Sequence, residues 1–215
     1  MRTGISGITL FCLFLLFGLT ACRSGQQEET RTVFRYNESA GITSLDPAFA
    51  KDQANIWACN QIFNSLVQLD SQLRIQPCIA RKWEISPDGK IYTFTLRNDV
   101  YFHHTDYFKI DSNRHVTAQD VVFSLQRIAD PEVASPGAWI FATVDTMPDG
   151  KKHFEALNDS VVQIKLQKAF PPFLSLLGMQ YCSIVLPEAV EHFQKEFRKY
   201  PVGTGPSNAR CGKRG

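Results

Sequence analysis

Apolar and polar positions alternate along this chain in several distinct rhythms, and each rhythm predicts a different element. Residues 8–19 are almost continuously apolar and follow Arg2. That run is too short to span a bilayer comfortably as a mature helix and fits the h-region of a secretory leader. Residues 23–32 then hold no apolar side chain and read as a solvated tether. A short β-prone run at 33–36 leads through 37–43 into Ser44-Leu45-Asp46-Pro47, a turn signal. From Asp52 to Leu69, Ile56, Cys59, Phe63, Leu66 and Val67 recur at three- and four-residue steps, which predicts a helix. Trp57 and Ile62 widen its stripe, so this helix is expected to be well buried.

Period two takes over next. Residues 83–85 and 91–97 flank Ser86-Pro87-Asp88-Gly89-Lys90, where Pro87 presets a turn dihedral and Gly89 takes the position least tolerant of a side chain. In the second arm of this hairpin Tyr92, Phe94 and Leu96 form the buried face. Thr117 is placed to cap a second helix and Asp120 suits its positive end, with Val121, Val122, Leu125 and Ile128 on the apolar side and Asp130-Pro131 as the stop. A strand is predicted at 161–166 with Val162, Ile164 and Leu166 inward. Pro171-Pro172 breaks the chain before the apolar stretch 173–177. Residues 183–186 read as a short buried strand, and Pro187 opens a final helix towards Lys199. Helices and strands mix without strict alternation, which predicts an α+β fold.

Composition changes little in this picture. The 44% apolar share of 215 residues is ordinary. The formal charge is +2, but without Arg2 in the leader and Arg210, Lys213 and Arg214 in the tail, 19 basic residues face 21 acidic ones, a net of −2. No broad basic surface for nucleic acid follows from that balance. Leu19-Thr20-Ala21-Cys22 closes the apolar run and resembles the lipobox of bacterial lipoproteins, which implies a diacylglycerol thioether on Cys22 and a membrane anchor. Cys59, Cys78, Cys182 and Cys211 match no metal spacing. They read as buried free thiols, with a disulfide between two of them open as the alternative in an oxidising envelope. His103, His104, Asp106 and His115 make a poor metal shell, because adjacent histidines on a strand face opposite ways. No serine elbow, zinc-helix histidine pair or phosphate-cradling glycine loop is present, so no enzyme and no cofactor is expected.

Four stretches, in order and spacing, resemble one family. They are Ser44-Leu45-Asp46-Pro47 with its helix, the run from Ala80 through Pro87-Asp88-Gly89 to Arg97, Val116-Thr117-Ala118-Gln119-Asp120-Val121-Val122-Phe123-Ser124, and Tyr200-Pro201-Val202-Gly203-Thr204-Gly205-Pro206. Together they are similar to the bacterial extracellular solute-binding proteins of family 5, the peptide, dipeptide and nickel class. The insertion at 103–115 and the tail after Pro206 depart from the family pattern.

The resemblance implies an incomplete type II periplasmic-binding-protein-like fold, with the first lobe only and the second lobe missing. It divides the chain into a leader at 1–21, the lipidated cysteine and tether at 22–32, the first part of the solute-binding domain at 33–206, and an aberrant tail at 207–215. The implied function is peptide binding for an ABC importer, with permease subunits as partners and the protein anchored on the envelope membrane, facing the periplasm or exterior. A non-transport envelope sensor or chaperone with the same fold, and an inactive fragment of a disrupted gene, stand as alternatives. In the peptide mode, Ala40, Gly41, Ile42 and Thr43 are expected to contact ligand backbone, with Trp139 and Phe141 on a wall of the cleft.

Overall fold

The computed structural model describes residues 38–39, 41–105 and 114–207. The expected leader, Cys22, the tether and the strand at 33–36 lie outside the described residues, as do Ala40, Asp106, Cys211 and residues 208–215 of the tail. All the described residues belong to one compact unit, which starts at Glu38.

Asp46 caps a 3₁₀ turn, Pro47–Phe49, by accepting from the Ala48 amide. Asp52 then caps helix α1, Gln53–Ile62. This helix is shorter than the apolar spacing predicts. It ends at Ile62, and Leu66 and Val67 are buried on extended chain instead, Val67 opening strand β1, Val67–Leu69. Two interactions impose the switch. Strand β2, Ile75–Pro77, pairs antiparallel with β1, and the last carbonyls of α1 are taken by a distant segment, with Gly205 N–H donating to Ile62 O at 2.8 Å and Ser207 N–H to Gln61 O at 2.9 Å. Trp57, expected to be buried, is 53% exposed, because the stripe actually covered runs through Ala54, Asn55, Ala58, Cys59 and Ile62.

Strands β3, Ala80–Ile85, and β4, Ile91–Leu96, form the expected hairpin, with Gly89 at φ +69° in its turn. Helix α2, Ala118–Ala129, starts at a capping box in which Thr117 and Asp120 exchange side-chain and backbone hydrogen bonds. Arg114 doubles that box by donating to both Asp120 oxygens, at 2.9 and 2.6 Å. Val121, Leu125 and Ile128 are buried as predicted, whereas Val122 is only half-buried.

Strands β5, Phe154–Asn158, and β6, Val161–Lys165, complete a four-stranded antiparallel sheet in the order β3-β4-β6-β5. Tyr92 of β4 stands opposite Ile164 of β6, which stands opposite Phe154 of β5, so one row of buried side chains crosses the sheet. Phe94, Val162 and Ile164 are fully buried, and each contributes about 2 kcal/mol by leaving water. Helix α2 packs on β5 and β6.

A short helix α3, Phe173–Leu176, follows the two prolines. Residues 183–186 are buried as expected but are not a strand: Ile184 N–H reaches Asn64 O at 2.8 Å and Val185 N–H reaches the Ser124 hydroxyl at 3.0 Å, so no ladder forms. The predicted terminal helix is divided. Helix α4, Pro187–Phe193, stops where Gln194 takes φ 47°, and a 3₁₀ turn, Gln194–Lys199, continues the chain. The result is the α+β arrangement expected. No helix among the described residues is long and apolar enough to cross a membrane.

Candidate functional site

The segment at 41–44 is held by one side chain that sequence reasoning passed over. Asn55, in the first turn of α1, is 2% exposed. Its Oδ1 accepts from the amides of Thr43 at 3.1 Å and Ser44 at 3.4 Å, while its Nδ2 donates to the Thr43 hydroxyl at 2.9 Å and to Asp52 Oδ2 at 2.9 Å. Asp52 thus caps the helix and orients the asparagine that pins the segment. The helix carries four polar side chains, Gln53, Asn55, Asn60 and Gln61, and no local signal marks Asn55 as the one that turns inward. Gly41 sits at φ +73° with nothing within 4 Å of the place a side chain would occupy, so the backbone angle, and not close packing, calls for glycine. Ile42 is 42% exposed. Thr43 turns its amide inward, and neither the amide nor the carbonyl of Ile42 has a partner among the described residues.

A second group of contacts fixes the next residues. Asp46 receives two hydrogen bonds from Arg127 of α2, at 2.9 and 2.6 Å, and both side chains are almost wholly buried. The Arg127 guanidinium also lies 5.9 Å from the ring centroid of Phe197. Ser135 Oγ donates to Ala48 O at 2.6 Å, and Gln180 Nε2 donates to Ala50 O at 3.0 Å. Residues 44–50 are therefore tied directly to the loop that leads into Trp139. At Gly137 a β-carbon would come within 2.5 Å of the Tyr181 ring, so that loop lies flat on Tyr181.

The two aromatic candidates separate. Trp139 is 55% exposed, whereas Phe141 is fully buried with its ring centroid 5.1 Å from that of Phe154. They occupy the 3₁₀ turn Ala138–Phe141, where residues two apart point about 120° away from one another, so the two rings face different surroundings. The structure places Phe141 in the core and leaves Trp139 with an accessible face.

His103 joins distant parts of the chain. Its amide donates to Gly203 O at 2.8 Å, and its Nε2 donates to Gly205 O at 2.7 Å, which fixes the neutral ring's tautomer. Burial pushes the imidazole below the usual histidine range, partly opposed by the bond to Gly205. Asp106 lies outside the described residues, and among those described no three His, Cys, Asp or Glu are grouped where they could hold a metal ion. Cys59 and Cys182 are buried free thiols and Cys78 is a half-buried one. Burial, with Asp46 and Asp52 nearby, pushes Cys59 up to about 12, and burial alone pushes Cys182 up, so both act as packing groups and not as nucleophiles.

These features can be set beside known proteins. The family model for bacterial extracellular solute-binding proteins, family 5 Middle, matches residues 74–206. Heme-binding protein A of Haemophilus influenzae is 37% identical over 202 residues, covering 87% of this chain and 37% of that protein. Di/tripeptide-binding protein 2 of Pseudomonas aeruginosa is 33% identical over 203 residues, covering 89% and 38%. Among solved structures, the substrate-binding domain of an oligopeptide ABC transporter from Bacillus anthracis matches with a TM-score of 0.72 at 25% identity, over 80% of this chain and 34% of that one. A periplasmic binding protein from Helicobacter pylori, solved with the peptide STSA, matches with a TM-score of 0.65 at 34% identity, over 77% and 34%. The chain spans little more than a third of the length of these relatives, an extent consistent with a first lobe. On the matched residues and the shared fold, the chain belongs to the bacterial extracellular solute-binding proteins, family 5.

Proposed function

We propose that this chain supplies the first-lobe side of a peptide site in the solute-binding component of an ABC importer. The observation that carries the reading is the Asn55-pinned segment. With Thr43 N–H drawn inward, the amide and carbonyl of Ile42 form a donor and acceptor pair open to an extended ligand, as a strand edge would be. Such a contact holds a peptide by its backbone and tolerates varied side chains. Trp139 adds an exposed aromatic face on a loop that Ser135 ties to the same stretch of chain. Gly41, Ile42, Thr43 and Trp139 are the proposed ligand contacts, with Ala40 beside them in sequence; Phe141 supports the loop from below. Two relatives are named for di/tripeptide binding or solved with a peptide, which supports peptide as the ligand class.

Trp139→Ala separates ligand contact from folding. The side chain is half in water, so its loss is expected to change stability by no more than about 0.5 kcal/mol. Peptide affinity, measured by calorimetry against a mixed tri- and tetrapeptide library, is expected to fall about tenfold, the effect of removing one aromatic anchor. Unchanged affinity in that variant would remove Trp139 from the site.

The same proposal places the chain on the envelope membrane through a lipid on Cys22, with the permease of the importer as its partner. Cys22→Ala is expected to shift the protein from the membrane to the soluble fraction after detergent-free lysis, since the acyl chains supply about 0.8 kcal/mol per buried methylene. A variant that stays with the membrane as the parent does would rule out the thioether anchor.

A further inference from the structure

Segment 203–207 lies flush on the end of α1. A β-carbon at Gly205 would stand 2.6 Å from Gln61 O, and the amides of Gly205 and Ser207 take the carbonyls of Ile62 and Gln61. From the other side His103 binds the segment twice, through its amide to Gly203 O at 2.8 Å and through Nε2 to Gly205 O at 2.7 Å. The remaining ring atom, Nδ1, is shut off from solvent and has no hydrogen-bond partner among the described residues.

That arrangement suits one protonation state. A carbonyl only accepts, so Nε2 carries the proton of the neutral ring and Nδ1 carries a lone pair. Protonation would turn Nδ1 into a second N–H with nothing to accept it, and would place a positive charge where water does not reach. The surroundings do not compensate. Segment 203–207 and the end of α1, with Gln61, Ile62 and Asn64, bring no ionisable side chain. Cys78, Arg97, Asp99 and Tyr101 share a cleft wall with His103. Burial pushes the Cys78 thiol up, so it stays uncharged. Asp99 accepts two hydrogen bonds from Arg97 at 2.8 Å each, so that pair brings no net charge. Arg114 and His115 lie on the stretch that pairs with Tyr101 and Phe102; Arg114 is matched by Asp120 and Glu188, and neither His115 nor the neighbouring His104 supplies a negative charge. Burial accordingly pushes His103 below its ordinary value of 6.5, and the bond to Gly205 offsets only part of that.

We propose that His103 is an acid-released latch on segment 203–207. The neutral ring holds the segment on the end of α1; in acid the segment detaches, His103 reaches water and its ring takes up a proton. Above the ordinary histidine value the ring is neutral in the closed and the open state alike, and the latch holds in full. As the pH falls below that value, the open state gains a proton that the closed state refuses, and opening becomes easier until the closed state protonates as well. Between about pH 7.5 and about pH 5 the opening constant is expected to rise about tenfold, with about 30-fold as the limit that one histidine proton sets. The latch does not depend on the peptide contacts at Ile42 and Trp139.

Amide hydrogen exchange of the full chain, followed by NMR at both pH values and corrected for intrinsic rates, reads this constant at Gly205 and Ser207. Their protection is expected to fall about tenfold on acidification in the parent, and less than about twofold in His103→Gln, whose side-chain amide keeps a donor for Gly205 O and does not titrate. Unchanged protection in the parent, or an equal fall in His103→Gln, overturns the proposal. Protection at Gly205 and Ser207 as high as that of the slowest amides in β4 and β6 overturns it too, because the segment would then open only with the whole fold. Should His103→Gln fail to fold, the ring ¹⁵N shifts of the parent decide: His103 is expected to stay neutral below the ordinary histidine value, and a midpoint at or above that value overturns the latch.

Discussion

Replacing Gly203 with alanine is expected to cost about 3 kcal/mol of folding stability, among the largest effects of any single methyl group in this chain. A β-carbon there would stand 2.1 Å from Ile62 O and 2.7 Å from the Phe63 ring. The first of these is backbone at the end of α1 and cannot swing aside. Segment 203–207 must then retreat, and it takes with it the hydrogen bonds from Gly205 N–H to Ile62 O, from Ser207 N–H to Gln61 O and from His103 to Gly203 and Gly205. Overpacking of a tight contact costs about 1–3 kcal/mol, and the strain passed to these hydrogen bonds puts this site at the upper end of that range. In thermal denaturation the midpoint is expected to drop by roughly 10 °C for a domain of this size. Gly150→Ala provides the contrast, since Gly150 has φ +85° but open space around it, and its cost of about 1 kcal/mol reflects backbone angle alone. Equal midpoints for the two variants would mean that the segment does not pack on α1 as the structure shows.

That contact also explains where the sequence was misleading. Leu66 and Val67 carry on the three- and four-residue spacing of α1, and both are buried, yet they belong to extended chain. The end of the helix is set by amide donors about 140 residues further along, at Gly205 and Ser207, and by the pairing of Val67 with Pro77 and of Leu69 with Ile75. No local signal carries that information. Strand β5 was missed for a related reason: Phe154-Glu155-Ala156-Leu157-Asn158 has helix-tolerant residues and becomes a strand because β6 offers it an edge. By contrast, the hairpin of β3 and β4 and the start of α2 were legible, because Pro87, Gly89 and the pairing of Thr117 with Asp120 act over four or five residues.

The candidate site divides along the same line. The position of the segment at 41–43 followed from a family resemblance, but its anchor, Asn55, did not, since nothing in a helical pattern says which polar residue will turn inward. Trp139 and Phe141 looked equivalent in sequence, and the 3₁₀ turn that parts them depends on Ser135 and Gly137 being seated against Ala48 and Tyr181. Long-range seating of loops, more than local propensity, decides which aromatic meets solvent.

The buried pair of Asp46 with Arg127 joins two residues 81 positions apart and gives the second large effect. Arg127→Met is expected to destabilise the chain by about 3 kcal/mol, because it leaves the Asp46 carboxylate buried with only the Ala48 amide beside it. Asp46→Ala is expected to cost a similar amount, since it strands a guanidinium that is 12% exposed and also removes the cap of the turn Pro47–Phe49. The double variant should lose clearly less than the two singles together, with a coupling of about 2 kcal/mol, because it buries neither charge alone. Urea denaturation of the four proteins measures this cycle, and added salt should change the coupling little, as the pair is shielded from solvent ions. Strictly additive losses would show that the two groups do not interact in solution. The outcome bears on the proposed peptide contact as well as on stability: Asp46 lies two residues beyond Ser44, the last residue that Asn55 holds, so releasing Asp46 from α2 frees the chain that follows the pinned segment.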